Sequence, residues 1–494
     1  MSPTIYTSSH PKVFIPQTSV FTHVFASRGQ GDIGGFPGSM KAFIDSASGA
    51  YITRAQLMDL ALSFAHGLRN HPNTRAKRGD TVLIHSPNSL AVPVVLFGCV
   101  AAGIRCSTAN SAYNFQELAH QYTDSRAKIV ITAEDGLKTT THLNIISLLS
   151  MVGAHFPPIM QGDMMIGILP FYHIYGEYQV VNLPLVVGLP VVIQPRFEPT
   201  EFCANIEKYK VTHGLIVPPI LVVLARHPAA EKYNLSTLRY LCSGAAPLGR
   251  DLVLQVKQRL RKNGAVCDIA QGYGLTETSP TTHLLPHFEA DRKMGTIGLL
   301  MPNLEARLVD DDDGDVDAEE GKPGELWIRG PSVMKGYLNN PAATANAITR
   351  DGWFRTGDVA IRDKEGFFTI VDRRKELIKY KCPPAELESV LLTHADIADS
   401  AVIGVDDIEQ ATELPRAYVV HAHPEEIKTS AAKALFAESV VKWMETKVAK
   451  HKFLRGGVSV IEAIPKSAAG KILRRELRDL AKTERAVTPL KSKL

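Results

Sequence analysis

The chain has 494 residues, of which 45% are hydrophobic and 21% are charged. This composition excludes an intrinsically disordered chain, a collagen-like repeat and a small disulfide scaffold, and the length predicts about three core-bearing units. The 55 basic and 51 acidic residues give a formal charge of +4, a balance too even to indicate a nucleic-acid coat. We therefore expect a large soluble globular protein.

Before Gly295 the chain alternates helical patterns with short apolar runs. Such alternation is typical of a doubly wound parallel sheet. Helices are predicted over 55–68 and over 91–102, with the second ending at Gly103. Strands are predicted over 81–85, 128–132, 165–169, 190–193, 214–217 and 238–242.

After Gly295 the pattern changes to short alternating runs at 305–309 and 325–328, which predict a small β-barrel. From Asp372 onward a smaller and more charged unit follows, with predicted helices over 384–393 and 430–450. The predicted fold class is α/β. A large N-terminal domain, 1–371, combines doubly wound α/β subdomains with the small β-barrel, and a small, mobile α+β lid domain, 372–494, follows it.

The cysteines and the apolar runs bear on the cellular compartment. Six cysteines are scattered without a C-x-x-C pair, which predicts reduced core residues and neither a zinc site nor a disulfide framework. The N-terminus lacks the features of a secretory signal. The most apolar stretch, 180–192, is interrupted by Pro184 and Pro190. It therefore predicts a buried strand with its turns rather than a membrane span.

Two motifs that suggest binding sites are better explained as loops. Residues 29–34 match G-x-G-x-x-G, but glycine and proline residues follow at 35–38, and a dinucleotide site needs a helix to begin there. The acidic run 310–315 has Val309 where a calcium loop would need an oxygen ligand. A flexible loop and a solvated hairpin loop are the respective predictions.

Residues 271–278, QGYGLTET, are the first of four segments that packing alone explains poorly. Two glycines let the backbone approach a flat ligand while Tyr273 stacks on it. Thr276 can donate to a phosphate oxygen, and Glu277 could hold a Mg²⁺ ion that bridges phosphates. An ordinary glycine-rich turn is the alternative.

The other three segments place charged residues in turns. In 354–358, FRTGD, a carboxylate after a tight turn can accept both hydroxyls of a ribose. Residues 372–379, DRRKELIK, contain four cations that could clamp a nucleotide and a thiol cofactor. Residues 465–471, PKSAAGK, predict a glycine-containing loop that could place one lysine at a binding site. Exposed turns and a solvated charged face are the alternatives.

Together with 103–110, 169–176 and 243–249, these segments resemble the adenylate-forming (AMP-binding) superfamily in their order and separations. Within it the chain is similar to 4-coumarate–CoA ligase-like acyl-CoA ligases of fungi and plants, and a fungal, peroxisomal member in secondary metabolism is expected. The resemblance implies a two-step reaction. A carboxylate attacks the α-phosphate of Mg·ATP to give acyl-AMP and pyrophosphate, and the thiol of coenzyme A then displaces AMP.

The resemblance also implies residue roles. Lys471 would be the adenylation lysine, Thr276 would touch the α-phosphate, and Glu277 would hold the metal. His173 would gate or line the acyl pocket. The nucleotide would further contact Gly244, Ala245, Gln271, Gly272, Tyr273, Asp358, Arg373, Lys375 and Lys379. The remaining implied residues are Tyr175, Ser243 and Gly272 in the acyl pocket, Arg196 and Lys381 at the coenzyme A phosphates, and Asp372 as the hinge in a loop.

The sequence departs from the family at its phosphate loop. Relatives carry a Ser/Thr/Gly-rich loop that wraps the outer phosphates of ATP, whereas residues 133–140 run directly into a helix predicted to start near Thr141. The glycine and glutamine that relatives carry within 379–386 are missing as well. A gene model that skips coding sequence, a degenerate pseudoenzyme and an enzyme with a rebuilt phosphate site are the three explanations.

The predicted function is therefore that of an ATP-dependent acyl-CoA ligase. A non-catalytic acyl- or nucleotide-binding protein and a luciferase-like oxygenase are the alternatives. The chain ends in Ser492-Lys493-Leu494, which is a peroxisomal address read by an import receptor. The expected partners are that receptor and a small carboxylic acid, with neither nucleic acid nor a transmembrane segment.

Overall fold

A computed structural model describes residues 3–29, 31–110, 113, 115–132, 141–311, 314–373, 384–407, 412–466 and 472–487. Its largest element is a nine-stranded sheet whose six central strands are parallel and whose edge strands are antiparallel. In spatial order its strands are Leu299–Leu300, Thr281–Leu284, Asp268–Gly274, Tyr240–Ser243, His213–Ile216, Met165–Gly167, Val191–Ile193, Lys41–Asp45 and Tyr51–Thr53.

Three smaller sheets accompany this main sheet, apart from the two-stranded hairpin Asp32–Ile33 and Phe36–Pro37. A parallel sheet contains Arg105–Ala109, Thr81–His85 and Ile129–Thr132. An antiparallel sheet, in the position of the predicted β-barrel, contains Tyr6–Thr7, Glu305–Val309, Gly324–Arg329, Phe354–Arg362 and Phe368–Arg373. The sheet of the C-terminal domain contains Ile397–Asp407, Thr412–His421 and Val458–Val460.

Helices cover both faces of the main sheet. Apolar side chains on its two faces form the two largest buried clusters, and a third cluster lies in the C-terminal domain. The described α-helices of four or more residues are Val20–Phe25, Arg54–Asn70, Ala91–Ala102, Phe115–Ser125, His142–Gly153, Leu183–Val187, Pro199–Tyr209, Pro218–Arg226, Ala229–Lys232, Arg250–Lys262, Pro341–Ala347, Pro384–Leu391, Ser430–Glu445 and Arg474–Val487.

Most predicted elements of the N-terminal domain are confirmed to within two residues. The helix Ala91–Ala102 ends at Gly103, which adopts φ +69° and caps it. The helix predicted to start near Thr141 runs over His142–Gly153 and begins with a capping box between Thr141 and Asn144. Residues 31–38 form turns and a short hairpin instead of a helix, as the loop interpretation requires.

The interpretation of 180–192 as a strand with its turns is wrong for most of its length. The segment continues a π-helix, Glu177–Asn182, into the α-helix Leu183–Val187, and only Val191–Ile193 is a strand. Pro184 lies in the first turn of the α-helix, where its missing N–H costs nothing, and Gly188 ends it at φ +75°. Pro184 is thus a helix boundary residue, whereas Pro190 directly precedes the strand Val191–Ile193.

The C-terminal domain packs against the main domain through a polar contact. Arg226, at the end of helix Pro218–Arg226, donates to the carbonyl oxygens of Leu392 and Ile397. The five described cysteines are free, and four of them are buried. None of the described helices is both long and apolar enough to cross a membrane.

Candidate active site

A cavity of about 730 Å³ opens at the carboxyl ends of the parallel strands. In doubly wound sheets this edge is where ligands bind, because the strands end there and the loops diverge. A second cavity, of about 1,170 Å³, lies between the main sheet, the antiparallel sheet and the C-terminal domain. The two cavities share Ala245 and residues 272–275 as a common wall.

Tyr273 and Asp358 connect the first two predicted segments. The Tyr273 hydroxyl donates to Asp358 Oδ2 at 2.6 Å, and the Asp358 carboxyl group is buried at 5% exposure. Both residues line the second cavity. Tyr273 lies near the end of the strand Asp268–Gly274, whereas Asp358 lies in Phe354–Arg362. The residue predicted to stack on the nucleotide and the residue predicted to accept the ribose hydroxyls are therefore side by side.

The turn before Asp358 is held by hydrogen bonds. The Asp358 N–H donates to Thr356 Oγ1 at 3.0 Å, and the Thr356 hydroxyl donates to the Leu326 carbonyl at 2.6 Å. The Gly357 N–H donates to Glu325 Oε1 at 3.1 Å. Sequence reasoning missed Glu325, because an acidic residue in a β-strand carries no local sign of a partner 32 positions away.

Two polar atoms in the predicted adenine slot and pocket wall have no partner among the described residues. Ser243 Oγ and Gln271 Oε1 are both buried and accept or donate no hydrogen bond. Unsatisfied buried polar atoms cost free energy, so natural proteins keep them mainly where a ligand or water completes them. Ala245 nearby adopts φ +68°, a strained backbone region for a residue other than glycine. These features suit the nucleotide that the resemblance implies.

Thr276 and Glu277 form a short 3₁₀-helix, Thr276–Thr278, at the mouth of the first cavity. The Tyr337 hydroxyl donates to Glu277 Oε1 at 3.1 Å, and burial together with this carboxylate raises the pKa of Tyr337 to about 12. The hydroxyl therefore stays protonated and orients the carboxylate. Tyr337 lies 60 positions from Glu277, and nothing in the sequence indicated it.

Tyr175 forms a wall of the acyl pocket that the resemblance implies. Its hydroxyl donates to the Cys242 carbonyl at 3.1 Å, and burial raises its pKa well above the ordinary value. Gly244 makes room for the ring, since a Cβ there would lie 3.1 Å from a Tyr175 ring carbon. His173 lines the same cavity, and its Nδ1 accepts from the Tyr175 N–H at 3.2 Å. This bond fixes the ring at the helix start.

The remaining predicted residues fall into three groups: one lies away from both cavities, two lie in a strand, and the others lie outside the described residues. Arg196 is exposed and lines neither cavity. Residues Asp372 and Arg373 lie in the strand Phe368–Arg373, so the expected hinge loop at Asp372 is instead β-strand, and the strand extends two residues past the predicted domain boundary. The Arg373 backbone pairs directly with that of Asp358.

Several predicted features lie outside the described residues. They are Lys375, Lys379, Lys381, Lys471, the segment 133–140 and the terminal Ser492-Lys493-Leu494.

The two residues that flank 467–471 are described and line the second cavity. Lys466 and Ile472 pair as an antiparallel bridge, and both face this cavity together with Asp358. Lys466 is anchored by Asp399, whose Oδ2 lies 2.6 Å from its ammonium nitrogen.

The sequence matches the family of AMP-binding enzymes over residues 34–141 and 139–338, which is more than half of the chain. The chain belongs to the AMP-binding enzyme family. Residues 386–471 match the AMP-binding enzyme C-terminal domain. The two stretches of the first match overlap at 139–141, at the end of the segment in which the phosphate loop was expected.

Curated members of the AMP-binding family are similar over different lengths. "Probable 4-coumarate–CoA ligase 1" of Dictyostelium discoideum is 42% identical over 322 residues, which are 65% of this chain but only 56% of that protein. "4-coumarate–CoA ligase-like 4" of Oryza sativa subsp. japonica is 33% identical, covering 89% of this chain and 90% of the relative. That second alignment has 516 positions, more than the 494 residues here, so the relative contains residues without a counterpart in this chain.

Solved structures share the fold. The ATP-bound RpMatB-BxBclM chimera B1 superposes with a TM-score of 0.80 at 23% identity, covering 94% of this chain and 99% of the chimera. The O-succinylbenzoate coenzyme A synthetase of Bacillus subtilis gives a TM-score of 0.73 at 24% identity, covering 89% and 97%. The predicted fold class, a large N-terminal domain followed by a small C-terminal domain, is confirmed.

Proposed function

We propose that this protein is an ATP-dependent acid–thiol ligase that activates a carboxylic acid as acyl-AMP and transfers the acyl group to coenzyme A. The observation that carries the proposal is the Tyr273–Asp358 pair beside the unsatisfied Ser243 and Gln271 side chains, in a member of the AMP-binding family. Curated relatives named as CoA ligases support the acceptor.

In this proposal the two cavities bind different substrates: the second cavity binds the nucleotide and the first binds the acyl chain. In the second cavity, Asp358 accepts the ribose hydroxyls and Tyr273 supports the base. In the first cavity, the acyl chain lies against Tyr175 with its carboxylate near Thr276. ATP supplies an electrophilic α-phosphorus and a pyrophosphate leaving group, and Glu277 would hold a Mg²⁺ ion that would offset the phosphate charge.

In the first step, a carboxylate oxygen bonds to the α-phosphorus while the bond to the bridging oxygen of the β-phosphate breaks. In the second step, the thiol loses its proton to solvent, its sulfur bonds to the acyl carbon, and the acyl carbon–oxygen bond to AMP breaks so that AMP leaves with the former carboxylate oxygen. We assign to Thr276 a hydrogen bond to the α-phosphate and to Lys471 the neutralisation of the developing oxyanion, which can contribute several kcal/mol. His173 lines the acyl side of this junction.

The missing phosphate loop bears on the first step only. Its backbone N–H groups would hold the outer phosphates, whereas the residues proposed to hold AMP and the acyl group are present in the sequence. Pyrophosphate release is therefore the readout, measured on this chain and on a variant with a Ser/Thr/Gly-rich loop inserted after Asp135. We expect acid-dependent release from both, faster with the loop. The proposal is contradicted if neither the unchanged chain nor the loop-insertion variant releases pyrophosphate although both are folded.

We also propose import into peroxisomes, supported by the Ser-Lys-Leu sequence at 492–494. A fluorescent protein fused to the N-terminus should co-localise with a peroxisomal marker in a fungal cell. Deletion of residues 492–494 should make the fusion diffuse. A diffuse distribution of the intact fusion contradicts this proposal and leaves the ligase activity untouched.

A further inference from the structure

Asn144 connects the start of helix His142–Gly153 to the loop formed by residues 331–337, the 331–337 loop. Its side chain is buried at 4% exposure. The amide nitrogen Nδ2 donates at 2.9 Å to the carbonyl oxygens of both Pro331 and Val333. The amide oxygen Oδ1 accepts at 3.0 Å from the N–H of the N-cap residue of the helix. One buried amide therefore caps the helix with its oxygen and holds the loop with its nitrogen.

The 331–337 loop in turn contacts Glu277 twice. The Met334 N–H donates to the Glu277 backbone carbonyl at 2.7 Å. The Tyr337 hydroxyl donates to Glu277 Oε1 at 3.1 Å, and the Tyr337 N–H donates to Thr344 Oγ1 at 2.9 Å, which fixes the end of the loop. Both the backbone and the carboxylate of Glu277 thus depend on where this loop lies.

Burial makes the Asn144 bonds hard to replace. Ser332, between the two accepting carbonyls of Pro331 and Val333, has no exposed surface. Water is therefore poorly placed to take over from the Asn144 amide. A buried carbonyl that loses its donor costs free energy, so loss of this amide disfavours the present position of the loop.

We propose that Asn144 is a positioning residue for Glu277, and that it holds the 331–337 loop so that the Glu277 carboxylate faces the phosphates of the nucleotide. This inference rests on the proposed function, in which Glu277 would hold Mg²⁺ beside those phosphates. Glu277 lines the first cavity, and carboxylate oxygens are ligands that Mg²⁺ prefers. Loss of a residue that orients a metal ligand typically weakens metal binding about 10- to 100-fold.

The test measures how much Mg²⁺ tightens nucleotide binding. Calorimetric titration with α,β-methylene-ATP is carried out with and without Mg²⁺, and the ratio of the two affinities is the Mg²⁺ gain. Asn144→Asp keeps the oxygen that caps the helix but loses both donations to the loop. We expect a gain of about tenfold in the wild type and of less than about threefold in Asn144→Asp. Glu277→Gln should show the same reduced gain.

Two control variants separate positioning from general stability. Thr141→Ala removes the hydroxyl that accepts from the Asn144 N–H and leaves the donations to the loop in place. Asn263→Asp removes two similar donations, to the Ala230 and Tyr233 carbonyls at 3.0 Å, and Asn263 lines neither cavity. Both variants should keep the Mg²⁺ gain within about twofold of the wild type, since neither alters the contacts of Glu277.

Hydrogen exchange provides a second readout that needs neither metal nor nucleotide. The Met334 N–H should exchange about fivefold faster in Asn144→Asp than in the wild type, because its bond to the Glu277 carbonyl opens more often. The same amide should exchange at the wild-type rate in Asn263→Asp. Unchanged exchange of Met334 in Asn144→Asp contradicts the coupling between the amide and Glu277.

The outcomes separate the positioning role from the proposed activity. The inference is overturned if Asn144→Asp retains the wild-type Mg²⁺ gain, if the wild type shows no gain, or if Asn263→Asp loses it as well. A gain that depends on Asn144, without formation of acyl-CoA from any acid, defeats the ligase activity and leaves the positioning role standing. Acyl-CoA formation with a gain independent of Asn144 defeats the positioning role alone. Asn144→Ala, with the same expected result, replaces Asn144→Asp if thermal unfolding shows that the aspartate variant is misfolded.

Discussion

The Tyr273 hydroxyl lies 2.6 Å from Asp358 Oδ2, a hydrogen bond that joins two sheets across 85 positions of sequence. Tyr273 belongs to the strand Asp268–Gly274 of the main sheet, and Asp358 belongs to Phe354–Arg362 of the antiparallel sheet. Because each residue is fixed by its own strand, their separation is set before any ligand arrives. Such preorganisation lowers the cost of binding a nucleotide.

Replacing Tyr273 with phenylalanine should weaken AMP binding about tenfold. The ring and its stacking surface remain, but the buried Asp358 carboxylate loses a donor, and hydrogen bonds to charged groups have about this effect. Calorimetric titration with AMP measures the change. Tyr209→Phe is the matched control, because its hydroxyl donates to the Ser46 carbonyl at 2.9 Å and it lines neither cavity. Equal affinities of both variants would refute the role given to the pair.

Asp358→Asn should reduce the discrimination between AMP and 2′-deoxy-AMP. A carboxylate can accept from both ribose hydroxyls, whereas an amide has a single accepting oxygen. We expect the wild type to prefer AMP by about tenfold and the variant to show less than half of that ratio. Asp363→Asn serves as the control, since Asp363 pairs with Lys293 at 2.7 Å away from both cavities. An unchanged ratio in Asp358→Asn excludes ribose recognition by this residue.

Gly244→Ala should destabilise the protein by about 1–3 kcal/mol, the usual cost of overpacking. The added methyl would lie 3.1 Å from the partly buried Tyr175 ring, which is held by its hydrogen bond to the Cys242 carbonyl. Gly272→Ala is the matched control on the same cavity, because its Cβ would meet nothing closer than 3.6 Å. Urea unfolding measures both variants. Equal unfolding free energies would show that Tyr175 moves freely.

The buried Glu177 carboxyl group should make stability depend on pH. Burial raises its pKa from the ordinary 4.5 to about 7. Between these values the folded protein keeps a proton that the unfolded chain has lost, so the free energy of unfolding decreases as pH rises from 4.5 to 7. This contribution is absent from Glu177→Gln.

The difference between Glu177→Gln and the wild type should therefore grow by about 1–3 kcal/mol in favour of the variant between pH 4.5 and 8. Urea unfolding across that range measures it, with Glu319→Gln at an exposed position as the control. Parallel pH profiles of the wild type and Glu177→Gln would show that the carboxyl group is solvated in the folded protein.

Most of the fold could be predicted, because its strands are short apolar runs separated by helices with marked ends. Glu305–Val309 and Thr81–His85 have the predicted bounds. The segment 180–192 was misjudged because an apolar run of this length fits a buried helix and a buried strand equally well. The helix Arg474–Val487 was missed, since its pattern is mostly polar.

The site was predicted less completely. Tyr273 and Asp358 stand in recognisable motifs, but only folding shows that they form a hydrogen bond. Tyr337 and Glu325 lie in segments without a motif, and they act through partners far away in sequence. From the sequence alone Glu177 would be predicted to face solvent, because its burial depends on tertiary packing that the sequence does not indicate.

Formation of acyl-CoA by the purified chain tests the central claim most directly. The protein is incubated with Mg·ATP, coenzyme A and a panel of aryl and aliphatic acids, and the products are separated and identified by mass. We predict an acyl-CoA and an equal amount of AMP from at least one acid, both strongly reduced in Asp358→Asn. The account is contradicted if the folded wild-type protein binds AMP yet forms neither acyl-AMP nor acyl-CoA from any acid.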